Sequence, residues 1–130
     1  MTKKNVHQHP ELTAEVAREL LYYFPETGEL RWKRRSEQYF PEGKHTAATC
    51  AKRGNTKFAG KLAFITIKPL GYRYGSIFGR KYYAHRLVWL LHYGHWPQFH
   101  VDHINGIRTD NRIENLRDVS RSENRMLSTA

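Results

Sequence analysis

The stretch that most restricts the fold runs from Val101 to Asn124 and reads "VDHINGIRTDNRIENLRDVSRSEN". "FHVDHI" has the look of a short strand. "NGIRTDN" opens on Asn-Gly, a pair that tolerates left-handed backbone angles, so it predicts a loop. "RIENLRDV" is a second extended piece, with Ile113, Leu116 and Val119 available for packing. "SRSENRMLS" has Ser120 with Glu123 three places on, a capping box that starts a helix. The stretch therefore predicts strand, loop, strand and helix. It gathers Asp102, His103, Asn115 and Asn124 in a setting full of arginine.

Those four side chains suit one chemistry. Hydrolysis of a phosphodiester needs a base to activate water, a cation to absorb charge, and groups that hold the phosphate in line. His103 suits the base, because an imidazole titrates near about pH 6.5 and is largely neutral in a cell. Asp102 offers a carboxylate and Asn124 an amide oxygen. With water and phosphate oxygens completing the shell, such donors suit a hard ion such as Mg²⁺. They do not suit the closed nitrogen and sulfur tetrahedron of structural zinc. Asn115 cannot shuttle protons, but it can hydrogen-bond the His103 ring or a neighbouring carbonyl. Neighbours on a flat strand face opposite sides, so Asp102 and His103 can serve one phosphate only where the strand ends or twists. The turn at Asn105-Gly106 allows that.

Charge identifies the partner. The formal net charge is +10. From Arg31 to Lys81 thirteen Lys or Arg stand against Glu37 and Glu42 alone, while both flanks are nearly balanced. A polyanion is the natural partner of such a segment, since neutralised phosphates release their counterions. Lys33, Arg34 and Arg35, with Arg73, Arg80 and Lys81, form a group suited to lying along a groove. Arg108, Arg112, Arg121 and Arg125 are candidates nearer the scissile bond. Contacts of this kind give affinity without reading sequence. His92, His95 and His100 have no thiolates to support a zinc cluster. His85 reads as a capping or packing residue, and Trp89, Leu90, Tyr93 and Trp96 as core.

The remaining chain predicts an α+β fold. "ELTAEVARELLYYF" reads as a helix, with Leu12, Val16, Leu20 and Phe24 at helical spacing and Thr13 as its N-cap. "FPETGE" stops it, and "ELRWKRR" reads as a strand. Residues 36 to 60 read as a long basic loop or arm. "KLAFITIK", "GYRYGSIF" and "RKYYA" read as strands, and "HRLVWLLHY" as a helix ended by Gly94. The expected organisation is an N-terminal helix and turn (1–28), a small antiparallel sheet plus helix in a basic DNA-binding region (29–97), and a C-terminal finger (98–130). Cys50 is the single cysteine. It excludes a disulfide framework and fits a reducing cytosol. "MTKKNVHQHPE" lacks the apolar core of a signal peptide, and "LVWLL" is too short to span a bilayer.

The Asp-His pair, the Asn of "IENL" and the Asn of the following helix resemble the HNH endonuclease motif, the ββα-metal or His-Me finger. With "AHRLVWLLHYGHWP" ahead of them, they look most like the phage-type group, some of whose members are homing endonucleases. "FPETGELRW" is similar to the lead segment of many such phage proteins, and the middle strands plus helix look somewhat like the AP2-type DNA-binding fold. The resemblance implies His103 as general base, Asp102 and Asn124 as ligands of Mg²⁺ or Mn²⁺, and Asn115 as the orienting residue. It implies duplex DNA as substrate, 5′-phosphate and 3′-hydroxyl products, and action in the cytoplasm of a bacterial host cell with no membrane partner. The family's last His is Asn124 here, which favours the harder ions. Two rival expectations are a non-catalytic DNA-binding protein and a phage-encoded inhibitor of a host protein. Monomer and homodimer both remain open.

Overall fold

The computed structural model describes residues 12–36, 38 and 47–120. Its first helix, α1, spans Ala14–Leu20 and is capped by Thr13, whose side chain accepts from the Val16 amide at 3.3 Å. The expected helix is longer. Leu21–Phe24 instead forms strand β1, because the run of aromatic Tyr22, Tyr23 and Phe24 favours a pleat and finds a partner. That partner is β2, Glu29–Trp32, antiparallel to β1 with Leu21 opposite Trp32. Pro25 and Gly28 make the turn between them. The Gly28 amide bonds the Phe24 carbonyl at 2.7 Å, and Gly28 has φ +82°.

The expected loop at 36 to 60 contains helix α2, Ala47–Phe58. Its composition hid it: Gly54 and Asn55 sit mid-helix, and its apolar stripe is thin, made of small residues such as Cys50 and Ala51 before Phe58. Asn55 is buried because it mimics a strand partner. It accepts from the Arg35 amide at 2.7 Å and donates to the Arg35 carbonyl at 2.9 Å.

"KLAFITIK" forms two strands where one was expected. β3, Leu62–Ala63, joins β1 and β2, while β4, Thr66–Ile67, starts a second sheet with β5, Arg73–Ile77, and β6, Arg80–Tyr83. The break falls at Phe64, which takes φ +59° and is buried. Its ring lies over Gly75, where a Cβ would sit 2.9 Å from ring carbons. Burying that ring offsets the backbone strain.

Helix α3, Ala84–Tyr93, follows β6 and ends at Gly94 in the left-handed conformation, as expected. Leu87, Val88, Trp89, Leu90 and Leu91 are all buried, so α3 is a central helix rather than an amphipathic one. It packs on α1, β1, β5 and β6. Arg18 ties α1 to its end by donating to the Leu91 carbonyl at 3.0 Å. Trp96 returns the chain to α1, its ring nitrogen donating to the Leu12 carbonyl at 2.9 Å. Tyr93, expected in the core, is exposed.

The last hairpin pairs β7, His100–His103, with β8, Leu116–Val119. A 3-10 turn at Ile113–Asn115 leads into β8, where the expected strand was longer. The predicted helix after Ser120 lies outside the described residues. Among the described residues the architecture is α+β, with three α-helices and small antiparallel sheets around one buried cluster that reaches from Leu12 to Leu116. No helix among the described residues is long and apolar enough to cross a membrane.

Candidate active site

Strand alternation sets the surroundings of the Asp-His pair. Val101 and His103 are buried on one face of β7, and Asp102 is half-buried on the other. β7 ends at His103, whose carbonyl accepts from the Gly106 amide at 2.9 Å as the chain turns. Asp102 faces Arg117 across the hairpin. Arg117 donates through Nη2 at 2.7 Å and Nε at 2.9 Å, both to Oδ2 of Asp102.

The connection at 104–115 is closed by side chains. Asn115 is buried; its Oδ1 accepts from the Asn105 amide at 3.0 Å. Its Nδ2 donates to Asn105 Oδ1 at 3.0 Å and to the Asp110 carbonyl at 2.9 Å. Asn105 in turn donates to Asp110 Oδ2 at 2.8 Å. Arg112 brackets Asp110 with Nε and Nη2, each at 2.8 Å, and reaches Glu114 at 2.7 Å. Its hydrogen bonds, helped by that of Asn105, hold the Asp110 carboxyl well below the usual range.

The ring of His103 is bonded by Asn111, a residue that sequence reasoning passed over. His103 Nε2 lies 2.9 Å from Asn111 Oδ1, and both residues are buried. A carbonyl oxygen only accepts, so Nε2 carries the proton and Nδ1 keeps the lone pair. Burial pushes the His103 ring below the ordinary histidine pKa. Asn111, Asp102 and Asp110 oppose that shift, and Arg108 adds to it. Tyr72 and His85 flank this imidazole, with ring centroids 5.9 Å and 5.1 Å from it. His85 packs beneath Tyr72 at 4.9 Å with its Nδ1 unpartnered, and burial drives its pKa down to about 3.

From Tyr72 an aromatic run continues across one face of the second sheet. Tyr83 lies 5.6 Å from Tyr72, and Lys68 and Lys81 sit over the Tyr74 ring at 4.8 Å and 5.6 Å. Arg108 is exposed, stacks over Tyr72 at 5.0 Å and bonds the Leu70 carbonyl. Register divides the expected basic group. Lys81 stands opposite Ser76 on this face, whereas Arg73 pairs with Ile67 and Arg80 with Ile77 on the other. Lys33 donates to the Arg18 carbonyl at 2.6 Å, and Arg35 is half-buried over the Trp32 ring at 4.9 Å. Arg34 is exposed. Asn124, Arg121 and Arg125 lie outside the described residues.

The pairing of "HVDH" with "LRDV" signalled Arg117, since antiparallel strands ending near each other put it opposite Asp102. Nothing local signalled Asn111, Tyr72 or Lys68. Among the described residues no cluster of three or more His, Cys, Asp or Glu could hold a metal ion. Of the two expected ligands, Asp102 lies among the described residues, at the edge of the site. That fits an ion held mainly by phosphate and water oxygens, but not a closed protein cage.

The antiparallel β7–β8 hairpin thus closes its first strand on a buried histidine held by the loop that follows. Residues 82–126 match the family model described as HNH endonuclease. The matched segment is about a third of the chain, and over that segment the chain is similar to HNH-type endonucleases. No curated protein and no solved structure matches the chain.

Proposed function

We propose that this protein is a metal-dependent endonuclease that hydrolyses phosphodiester bonds of duplex DNA, nicking or cleaving it. The observation that carries the reading is His103, buried within the matched segment with Nε2 held by Asn111 and Nδ1 left as proton acceptor. Neutral His103 takes a proton from water as the water attacks phosphorus. The bond from phosphorus to the 3′ oxygen breaks, leaving a 5′-phosphate and a 3′-hydroxyl. Lys68, Lys81 and Arg108, set among Tyr72, Tyr74 and Tyr83, hold the duplex beside the ring. Asp102 and Asn124 would hold Mg²⁺ or Mn²⁺, which when bound neutralises charge on the phosphate and the departing oxygen.

Purified protein incubated with supercoiled plasmid and Mg²⁺ should convert it to the nicked form. EDTA should stop the reaction, and His103→Ala should slow it about 10²- to 10⁴-fold. A His103→Ala protein that cleaves at the parent rate removes the assignment. One observation favours a second reading: Asp102 is already paired with Arg117, as in a finger kept as a DNA-binding scaffold. That reading expects duplex binding, no nicking and indifference to EDTA.

A further inference from the structure

The first hairpin touches the backbone around one residue of the catalytic loop in three ways. Tyr23 donates its hydroxyl to the Asn111 carbonyl at 2.6 Å. Gly28 lies against the same residue: a Cβ there would sit 2.7 Å from the Asn111 carbonyl carbon and 2.8 Å from the Arg112 nitrogen. The Pro25 carbonyl accepts from the Ile113 amide at 3.3 Å. Tyr23, Pro25 and Gly28 all fall outside the matched residues 82–126. Asn111 itself is 2% exposed, and its Oδ1 is the partner of His103 Nε2.

We infer that Asn111 is a positioning residue for His103, and that the β1–β2 hairpin is the clamp that holds Asn111 in place. The inference rests on the reading of His103 as the base. A neutral imidazole has two tautomers, and each leaves its lone pair on a different nitrogen. The Oδ1 acceptor selects Nε2–H and keeps Nδ1 as the basic nitrogen. That selection depends on where the amide sits. The Asn111 side chain is fully buried, beside a cavity of about 120 Å³ that Gly28 and Thr109 also line. Tyr23 and Gly28 fix its position by holding its backbone on two sides. Burial raises the Tyr23 phenol well above its ordinary pKa, so it remains a donor at any working pH.

The test pairs a tautomer measurement with steady-state nicking of supercoiled plasmid in Mg²⁺. Long-range proton–nitrogen spectra of the ¹⁵N-labelled full chain, recorded where His103 is neutral, should show Nε2–H in the parent protein. Asn111→Leu should give a mixture of tautomers and lower kcat about 10- to 100-fold, the usual cost of losing an orienting partner, with KM within about twofold. Asn111→Asp keeps an acceptor in place and should restore most of kcat. Tyr23→Phe should lower kcat a few-fold with KM unchanged. A parent spectrum showing Nδ1–H overturns the inference. So does an Asn111→Leu protein with the parent tautomer and parent kcat. Should Asn111→Leu fail to fold, the parent spectrum and Tyr23→Phe still decide. His103→Ala that nicks at the parent rate overturns the reading of the base, while the tautomer spectrum still judges Asn111 on its own.

Discussion

Two antiparallel hairpins among the described residues have four-residue strands, β1–β2 and β7–β8, and they are closed by different means. The first turns through Pro25–Gly28 mainly on backbone bonds, from the Thr27 and Gly28 amides to the Phe24 carbonyl, with weaker bonds from the exposed Thr27 hydroxyl. The second is joined by residues 104–115, a longer closure with more backbone polar groups to satisfy. Asn105, Asp110 and Asn115 meet some of them with side chains, accepting from the Ile107, Arg112 and Asn105 amides. A short turn needs little beyond a glycine. A long loop keeps one shape only where particular side chains tie it, and in this protein that shape places Asn111 against His103.

The contrast breaks or sharpens under mutation. The largest expected effect is Asn115→Ala, which leaves the Asn105 amide and the Asp110 carbonyl without that partner and should cost about 2–3 kcal/mol. Urea unfolding would show it, and a cost below about 1 kcal/mol would mean that the loop does not depend on its side-chain ties. Next comes Gly28→Ala set beside Gly60→Ala. Both glycines have positive φ, +82° and +83°, but nothing lies within 4 Å of a Cβ at Gly60. Gly60→Ala should cost about 1 kcal/mol of backbone strain. Gly28→Ala should cost about twice that and also slow nicking, and equal thermal shifts would deny the contact between the hairpins.

A smaller effect concerns pH. His85 is unprotonated in the fold down to about pH 3, because burial, then His103 and Arg86, disfavour its charge. The unfolded chain takes up that proton near about pH 6.5, so the unfolded state binds more protons between these values. Stability should therefore fall as pH drops from about 6.5 toward 3. Between pH 7 and about 5.7 the parent protein should lose roughly 1 kcal/mol more than His85→Phe. Parallel losses in the two proteins would show that this histidine is not held neutral. The smallest effect is Thr27→Ala, which removes a 3.3 Å bond to the Glu29 amide in the exposed first turn. It should cost about 0.5 kcal/mol or less, and a larger loss would show that the backbone turn does not stand by itself.

Much of the fold was legible because it rests on near neighbours. Thr13 as a cap, Gly94 as the end of α3 and the Asn-Gly opening of the last loop are local chemistry. The reading failed where a distant partner decided. Leu21–Phe24 has helical spacing, but it became a strand because Glu29–Trp32 was there to pair with it. Phe64 divides "KLAFITIK" because Gly75 leaves space for its ring. The basic group at Arg73, Arg80 and Lys81 was visible as charge, yet which face each occupies follows from β-sheet register.

By itself, the sequence determined which segments bend, which carry charge, and that an Asp-His pair closes a strand before a loop. Those properties depend on spacings of a few residues, over which the chain has little choice. The tertiary structure decided that Asn111 holds the His103 ring, that Arg117 pairs with Asp102, and that Tyr23 and Gly28 brace the loop from about 85 residues away in the chain. Contacts of that kind exist only once α3 and its neighbouring strands have packed, because burial, not proximity along the chain, brings their atoms within bonding distance.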